Sequence, residues 1–502
     1  NATGALLPGE ENTLAVRVDN RRSYTDVPPR LWKKEKLGWW SYGGIGRTAK
    51  LVWSQEVSIN KAVIHARPEE EGKGRLAVSG LVYNHGDEAK EVTLTARLRK
   101  GAEVICSGQK ETGLLVPAKA CAQFDLGTEM VEGIEPWSPA SPSLYTLEIE
   151  AASGDEVDRV KERIGFQSFE VRDGELLLNG EPMWLRGMNR HEDDPETGFF
   201  QTDERMAQDM ELLKELHVNH MRPGHYPNDP RWLYLCDREG ISLTEEIPLY
   251  QASSGVLKWF EARFMKDRKD VPLRVGGEYS TLSQMTDPQL LDNASQQLIE
   301  MIERDRNHAS IIMWSVGNEN LTYLKRARKM YKRLISVCKR FDPEREVTFA
   351  LLCGPGVSPL LEKTGDLADV LFLNEYYGWY FGEASGVGGL LDKFHEKYPE
   401  KPIVISEFGA GTVAGRHSDK PEKFSEEYQV HVYETQLKEV RARPFVKGTM
   451  PWILADFRCP WFKEEHPVYE MNLKGLLDYE RKRKKMAFET IREFYAEKAA
   501  GR

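Results

Sequence analysis

Leu290-Leu291-Asp292-Asn293-Ala294-Ser295-Gln296-Gln297-Leu298-Ile299-Glu300-Met301-Ile302-Glu303-Arg304, followed by Ile311-Ile312-Met313-Trp314-Ser315-Val316, sets an amphipathic helical stretch beside a short apolar run. Helical and strand-like runs in alternation predict a parallel α/β architecture. The same rhythm extends both ways from this unit. Strand candidates are Met183 to Arg186, Val218 to Arg222, Ile241 to Thr244, Ile311 to Val316, Val347 to Leu351, Val370 to Leu373, Ile403 to Ser406 and Gly448 to Leu454, with helical segments such as Glu204 to Glu215 between them. Eight such units over residues 167–502 fit a (β/α)8 TIM barrel better than a doubly wound sheet. Pro248 to Thr286 is the main insertion, on the loop face after the third strand, where it is expected to form a lid or a subunit contact.

Upstream the pattern is all β. Within residues 59–166, Val57 to His65, Arg75 to Tyr83, Glu91 to Leu98 and Ser143 to Glu150 alternate apolar and polar residues, with turn signals such as Asn84-His85-Gly86-Asp87 between. Short strands at this spacing predict an immunoglobulin-like β-sandwich without catalytic residues of its own. Residues 1–58 offer two further strand candidates, Leu14 to Asn20 and Ala49 to Trp53, too few to close a sandwich. They are expected to be the C-terminal part of a β domain whose front is missing from the chain. Between them, Trp39-Trp40-Ser41-Tyr42-Gly43-Gly44-Ile45-Gly46 reads as a tight turn, because no strand-to-helix context for a phosphate cradle follows.

Composition narrows the function. A 502-residue chain is too long for one core, so two to four domains are expected. Lys plus Arg is 69 against 79 Asp plus Glu, a net of −10, which argues against binding nucleic acid by phosphate neutralisation. No window is apolar for long enough to span a membrane. The six cysteines, at 106, 121, 236, 338, 353 and 459, form neither a Cys-x-x-Cys pair nor a zinc pattern. Separate thiols in a reducing, cytoplasmic setting are expected. The basic run Arg481-Lys482-Arg483-Lys484-Lys485 reads as a solvated helix start.

In a (β/α)8 barrel, function sits at the C-terminal ends of the strands. Glu319 follows strand four and Glu407 follows strand seven, so they should face each other across the mouth. Hydrolysis of a glycosidic bond with retention needs two carboxyls about 5 to 5.5 Å apart, one attacking the anomeric carbon and one protonating the leaving oxygen. Glu319 is the candidate acid, its proton favoured by the nearby Glu407 anion. Arg222, ending strand two, is placed to hydrogen-bond Glu407 and favour its ionised form. Asn318 is expected to hold the sugar 2-hydroxyl. Tyr376, Tyr380 and Trp452 suit stacking on a pyranose face, and Tyr376 can also reach the nucleophile. His225 is expected to contact the nucleophile or the sugar. His191 reads equally as a core histidine. No His/Asp set with metal spacing emerges, so no metal and no cofactor is expected.

Gly187-Met188-Asn189-Arg190-His191-Glu192, Trp314-Ser315-Val316-Gly317-Asn318-Glu319 and Ser406-Glu407-Phe408-Gly409 resemble glycoside hydrolase family 2. The resemblance covers nearly the whole chain. It implies a jelly-roll domain, here partial and about half absent, then an immunoglobulin-like domain and a catalytic barrel. It also implies Glu319 as acid/base and Glu407 as nucleophile. Within the family the likeness is to β-glucuronidases, carried by Leu373-Asn374-Glu375-Tyr376-Tyr377-Gly378-Trp379-Tyr380, by Ala414-Gly415-Arg416-His417-Ser418 and by Asn472-Leu473-Lys474-Gly475. Asn472 and Lys474 match the Asn-x-Lys motif that contacts the sugar carboxylate. An arginine found upstream of that motif in some β-glucuronidases is missing, with Val468 in the neighbourhood and Arg458 the candidate to compensate.

The expected activity is that of a retaining exo-β-glycosidase removing terminal β-D-glucuronic acid from glycans or small conjugates, with no nucleic-acid or membrane partner. Two alternatives stay open: the same mechanism on a galactoside or galacturonide, and a carbohydrate-binding protein without turnover. A homo-oligomer, dimer or tetramer, is left open.

Overall fold

Eight short runs, Leu185–Arg190, His220–Pro223, Ser242–Glu246, Ile311–Asn318, Glu346–Leu352, Leu371–Asn374, Ile403–Phe408 and Val446–Pro451, pair in parallel into a closed barrel. Closure comes from Leu185 and Arg186 lying against Gly448 and Thr449. These are the eight strands expected, each within a few residues of its predicted bounds. The computed structural model describes residues 5–501 apart from 8, 31–36, 71, 108–109, 253–280, 355–358 and 463–466. Most of the insertion from Pro248 to Thr286 therefore lies outside the described residues.

Successive residues point alternately to the interior and to the helices, which leaves these runs almost no solvent-exposed face. Ala350, Phe372 and Val404 fill the barrel interior, while their neighbours Phe349, Leu351, Leu371, Leu373, Ile403 and Ile405 pack outward against the helices. A small antiparallel sheet, Phe169–Arg172, Glu175–Leu178 and Glu181–Pro182, sends Phe169, Leu176 and Leu178 into the same interior. The surrounding helices are set by their caps. Asp203–Glu215 starts from Thr202, Pro230–Glu239 from Asp229 and Pro288–Asp305 from Asp287, each cap side chain accepting a first-turn N–H. The last two carry Pro in the first turn, where no N–H is needed.

The sandwich is built from two antiparallel sheets. One holds Val57–Pro68, Lys73–Asn84 and Cys121–Glu132. The other holds Glu156–Ile164, Tyr145–Ser153 and Lys90–Lys100, with Glu103–Cys106 and Lys110–Val116 also pairing to Lys90–Lys100. Val78, Val82, Val92, Leu94, Leu98, Leu147 and Ile149 pack between them. The four strands expected here are present, and Glu103–Cys106, Lys110–Val116, Cys121–Glu132 and Glu156–Ile164 are additional. Their weak signal has a physical reason. Glu156–Ile164 buries only Ile164, and Cys121–Glu132 is interrupted by Gly127 at φ +77°. Sandwich and barrel are joined tightly, with Trp137 Nε1 donating to Asp237 O at 2.8 Å. Gly240, at φ +75°, ends that helix where a Cβ would lie 2.4 Å from Pro139 O.

Two expectations are corrected. Leu14 to Asn20 and Ala49 to Trp53 form no strand; Leu14 is 87% exposed and Val52 81%. Alternation supplies a strand only where a neighbour takes up its backbone groups, and no pairing partner exists among the described residues. The basic run is solvated only in its middle: Lys482, Arg483 and Lys484 are exposed as expected, but the two ends are not. Arg481 is buried against Asp209, and Lys485 is buried with its Nζ 2.7 Å from Asp456 Oδ1. The helix begins after it, at Met486.

Asp209 also accepts from Arg190 Nε at 2.8 Å, so one carboxylate neutralises two buried guanidiniums. Burial disfavours its anion, yet Arg481 and Arg190 hold the Asp209 carboxyl below the ordinary range. Asp209→Ala leaves both cations buried and is expected to cost about 3–5 kcal/mol, measured as a lowered urea midpoint with an unchanged slope.

Candidate active site

The strand-two end places Arg222 at the centre of the mouth, fully buried. Nη1 donates to Glu407 Oε1 at 2.9 Å and to Asn189 Oδ1 at 3.1 Å. Nη2 donates to Asn318 Oδ1 at 2.7 Å and to Glu246 at 2.9 Å, and Nε donates to Glu246 Oε2 at 3.0 Å. One guanidinium thus ties together the ends of strands one, two, three, four and seven, using its planar fork of donors.

Glu407 and Glu319 are linked through this network, and the Glu319 charge acts on Glu407. Glu407 accepts from Arg222 on Oε1 and from the Tyr376 hydroxyl on Oε2 at 2.8 Å. Glu319 Oε2 accepts from Gln251 Nε2 at 2.6 Å and Oε1 from Asn374 Nδ2 at 3.2 Å. Asn374 Nδ2 also donates to Asn318 Oδ1 at 2.9 Å, linking the Glu319 side of the mouth to Arg222. The pairing of strand four with strand five shifts register between Ser315 and Asn318. Gly317 sits in that bulge at φ +146°, where a Cβ would lie 2.7 Å from Asn320 Nδ2 and 2.8 Å from Leu249 O. Only glycine fits, and the bulge re-aims Asn318 and Glu319.

Electrostatics partly reverses one expectation. Burial pushes the Glu407 carboxyl above the ordinary range, against the pull of Arg222 and His225, and the Glu319 charge adds to the rise. Arg222 therefore moderates the effect of burial without overcoming it. Part of its charge is spent on Glu246, which burial disfavours as an anion but which Arg222 and His225 hold down at about 2.

His225 lies with Nδ1 2.9 Å from Glu246 Oε1 and Nε2 3.7 Å from Glu407 Oε1, its ring stacked on Trp452 at 4.9 Å and 14°. Asn318 Nδ2 is buried and has no hydrogen-bond partner among the described residues, leaving a donor available in the mouth. His191 reads as a core residue here: Nδ1 lies 3.1 Å from the Tyr226 hydroxyl, and burial keeps the ring neutral.

Lys474 lies on the same side of the mouth as Tyr376. Its Nζ sits 5.2 Å from the Tyr376 ring centre, 4.8 Å from Tyr380, 5.4 Å from Phe462 and 6.0 Å from Trp379, and donates to the Tyr380 hydroxyl at 2.7 Å. Burial lowers this ammonium to about 8, although Glu407 and Glu319 pull it upward. Asn472 Oδ1 accepts the Lys474 backbone N–H at 3.1 Å, fixing the turn that presents the lysine. Arg458 does not compensate for the missing arginine. Its Nη1 donates to the Tyr42 hydroxyl at 2.9 Å and Nη2 to Pro195 O at 3.1 Å, which commits the guanidinium away from Lys474.

Five residues were not singled out from sequence as parts of the site. Glu246 and Asn374 close strands three and six, where a polar residue after an apolar run is the available signal. Asn189 Nδ2 donates to carbonyls of Ser406, Met450 and Pro451 at 2.8 to 3.1 Å, a strut across three strands. Gln251 opens the insertion. Trp39 comes from far upstream and packs 5.1 to 5.8 Å from Tyr250, His225, His191 and Tyr226. Its segment is pinned further by Tyr42, whose hydroxyl donates to Asp193 at 2.6 Å, and by Arg47, paired with Glu192. The expected tight turn is therefore a wall of the mouth.

Residues 169–499 match the family model described as "Glycosyl hydrolases family 2, TIM barrel domain", and residues 57–167 match "Glycosyl hydrolases family 2". The chain belongs to glycosyl hydrolases family 2. It is 27% identical to a β-glucuronidase of Paenibacillus borealis over 507 aligned residues, 97% of this chain and 77% of that protein. It is 31% identical to the human β-glucuronidase over 388 residues, 74% of this chain and 54% of the relative. Against the human enzyme and that of Streptococcus agalactiae, the chain spans about half the relative's length. Among solved structures, a β-D-glucuronidase of Dictyoglomus thermophilum superposes with a TM-score of 0.76 at 26% identity, over 95% of this chain and 78% of that one. A family 2 β-galacturonidase of Eisenbergiella tayi, bound to galacturonate, shares the fold with a TM-score of 0.79 at 24% identity, over 96% and 78%.

Within this family 2 chain the upstream wall is testable by itself. Trp39→Ala removes a buried indole at a cost of about 3–5 kcal/mol. It is expected to expose residues 37–47 to limited proteolysis under conditions that leave the parent chain intact.

Proposed function

We propose that the chain is a retaining exo-β-glycosidase that removes terminal β-D-glucuronic acid by double displacement. The observation that carries the reading is a carboxylate held by Arg222 and Tyr376 beside a second carboxyl, with a buried ammonium on the same tyrosine. Glu407 attacks the anomeric carbon and forms a glycosyl-enzyme, while Glu319 gives its proton to the departing oxygen. Glu319 then takes a proton from water, which releases the sugar with its configuration kept. The unpaired Asn318 Nδ2 is placed to bind the 2-hydroxyl, a contact that strengthens as charge develops. The His225–Trp452 stack and the Tyr376–Tyr380 pair supply the aromatic faces for the sugar.

Lys474 gives the reading its substrate class. A buried ammonium among aromatic rings is stabilised by a carboxylate on the substrate through charge-assisted hydrogen bonds. A neutral hexose leaves it without an anionic partner. Similarity to β-glucuronidases supports glucuronide, and the Eisenbergiella tayi fold neighbour keeps galacturonide as the second reading. Both sugars present the same carboxylate, so kcat/KM on paired aryl β-glucuronide and β-galacturonide separates them.

Glu407→Ala is expected to lower aryl glucuronide turnover by at least about 10³-fold, the scale of losing a group that acts on the reacting atoms. Glu319→Ala should lose about 10²–10⁴-fold on an alkyl glucuronide yet far less on a dinitrophenyl one, whose leaving group needs no proton. Product NMR showing the α-anomer first would reject the double displacement.

The pH profile follows from the two perturbed groups. Glu407 must be ionised and burial raises its pKa, so kcat/KM should fall on acidification through a limb above the ordinary carboxylate value of about 4.3. Lys474 must be protonated to hold the substrate anion, so kcat/KM for uronides should fall as pH rises through about 8. That alkaline limb should vanish in Lys474→Ala together with most uronide turnover; its persistence would remove the lysine from the substrate site.

A further inference from the structure

At the opposite end of the barrel from the mouth, a small cleft opens between sandwich and barrel, lined among others by His65, Arg67, Gln167, Arg306, Glu344 and Arg345. Arg306 is 7% exposed, yet among the described residues its side chain makes no hydrogen bond and no ion pair. Its nitrogens are not sealed from solvent, so the donors open onto the cleft, where an anion would favour this largely buried cation. Its position as C-cap of Pro288–Asp305 offsets only a fraction of the cost of burial.

Asp342, Glu303 and Glu344 act on Arg306 through space, but none of them pairs with it at close range. Asp342 is committed to Arg345 at 2.6 Å, and Arg345 spends its remaining donors on the carbonyls of Arg306, His308 and Ile311. His308 is held by Asp237 at 2.6 Å. Glu344, the one carboxylate among the lining residues, lies 3.2 Å from His65 and 3.9 Å from Arg67. Asn307 is taken up by Ala62 and Ile64. The cleft thus holds an unpaired guanidinium, a second loosely paired one at Arg67, and a buried acceptor without partner, Gln167 Oε1.

We propose that this cleft binds a small doubly charged oxyanion, the phosphate group of a small metabolite. Arg306 supplies a fork of donors that matches phosphate oxygens, and Arg67 adds charge at the rim. The site is separate from the sugar-binding mouth and independent of the reaction proposed there.

Titration calorimetry of the full chain with inorganic phosphate, against sodium chloride of equal ionic strength, tests this. A single saturable event in the roughly millimolar range is expected. It should weaken at least about tenfold in Arg306→Gln and persist in Lys474→Ala, which excludes phosphate held in the mouth. Glu344→Gln, at a partly exposed position, should tighten binding several-fold and keeps the test valid if the Arg306 variant does not fold. No event above the chloride control, loss in Lys474→Ala instead, or indifference to both Arg306→Gln and Glu344→Gln would overturn the site. Succinate binding in place of phosphate with the same Arg306 dependence would overturn the phosphate assignment.

Discussion

Arg222 is the constraint around which the mouth is arranged. A fully buried guanidinium is tolerable only if its donors are met, and here they are met by two carboxylates and two amides on four other strands. Its planar shape fixes the relative positions of Asn189, Glu246, Asn318 and Glu407. The same charge sets the contrast between the carboxylates. Glu246, with Arg222, His225 and Ser315 all pointing at it, stays firmly ionised. Glu407, with one guanidinium contact and one phenol, is left higher and more reactive toward protonation. In the proposed double displacement, an anion that is held less tightly is the better nucleophile, and Glu246 absorbs positive charge that would otherwise quiet Glu407.

The barrel was readable because its strands have no solvent face. A run such as Ile403-Val404-Ile405 is apolar at every position, interior and exterior alike, and the eye needs no partner strand to find it. The sandwich was half readable. Lys73–Asn84 alternates cleanly, with one face in the core, whereas Glu156–Ile164 keeps most residues half in water and signals little. Leu14 to Asn20 alternates as well as many true strands, yet alternation reports only the capacity to pair.

For the site, residues at strand ends carried their own address, since barrel topology puts those ends together. Arg222, Asn318, Glu319, Tyr376 and Glu407 were found that way. Trp39 and Gln251 were not, because their place depends on how remote segments dock, which no local pattern encodes. Arg481 and Lys485 failed for a related reason. A run of five basic residues gives no sign that its two ends are taken up by Asp209 and Asp456 from elsewhere in the chain while the three residues between them stay exposed.

One wall of the mouth is written ahead of the sandwich, and the rest of the site behind it. Trp39, Tyr42 and Arg47 reach the barrel only because the intervening domain holds a fixed length and orientation, locked at Trp137 and Gly240. The sandwich therefore works as a gauge block. Exchanging it for a relative of different thickness would displace the indole from the histidines it covers while leaving every barrel residue in place, so inheritance of this chemistry is tied to the whole chain order and not to the barrel as a movable part.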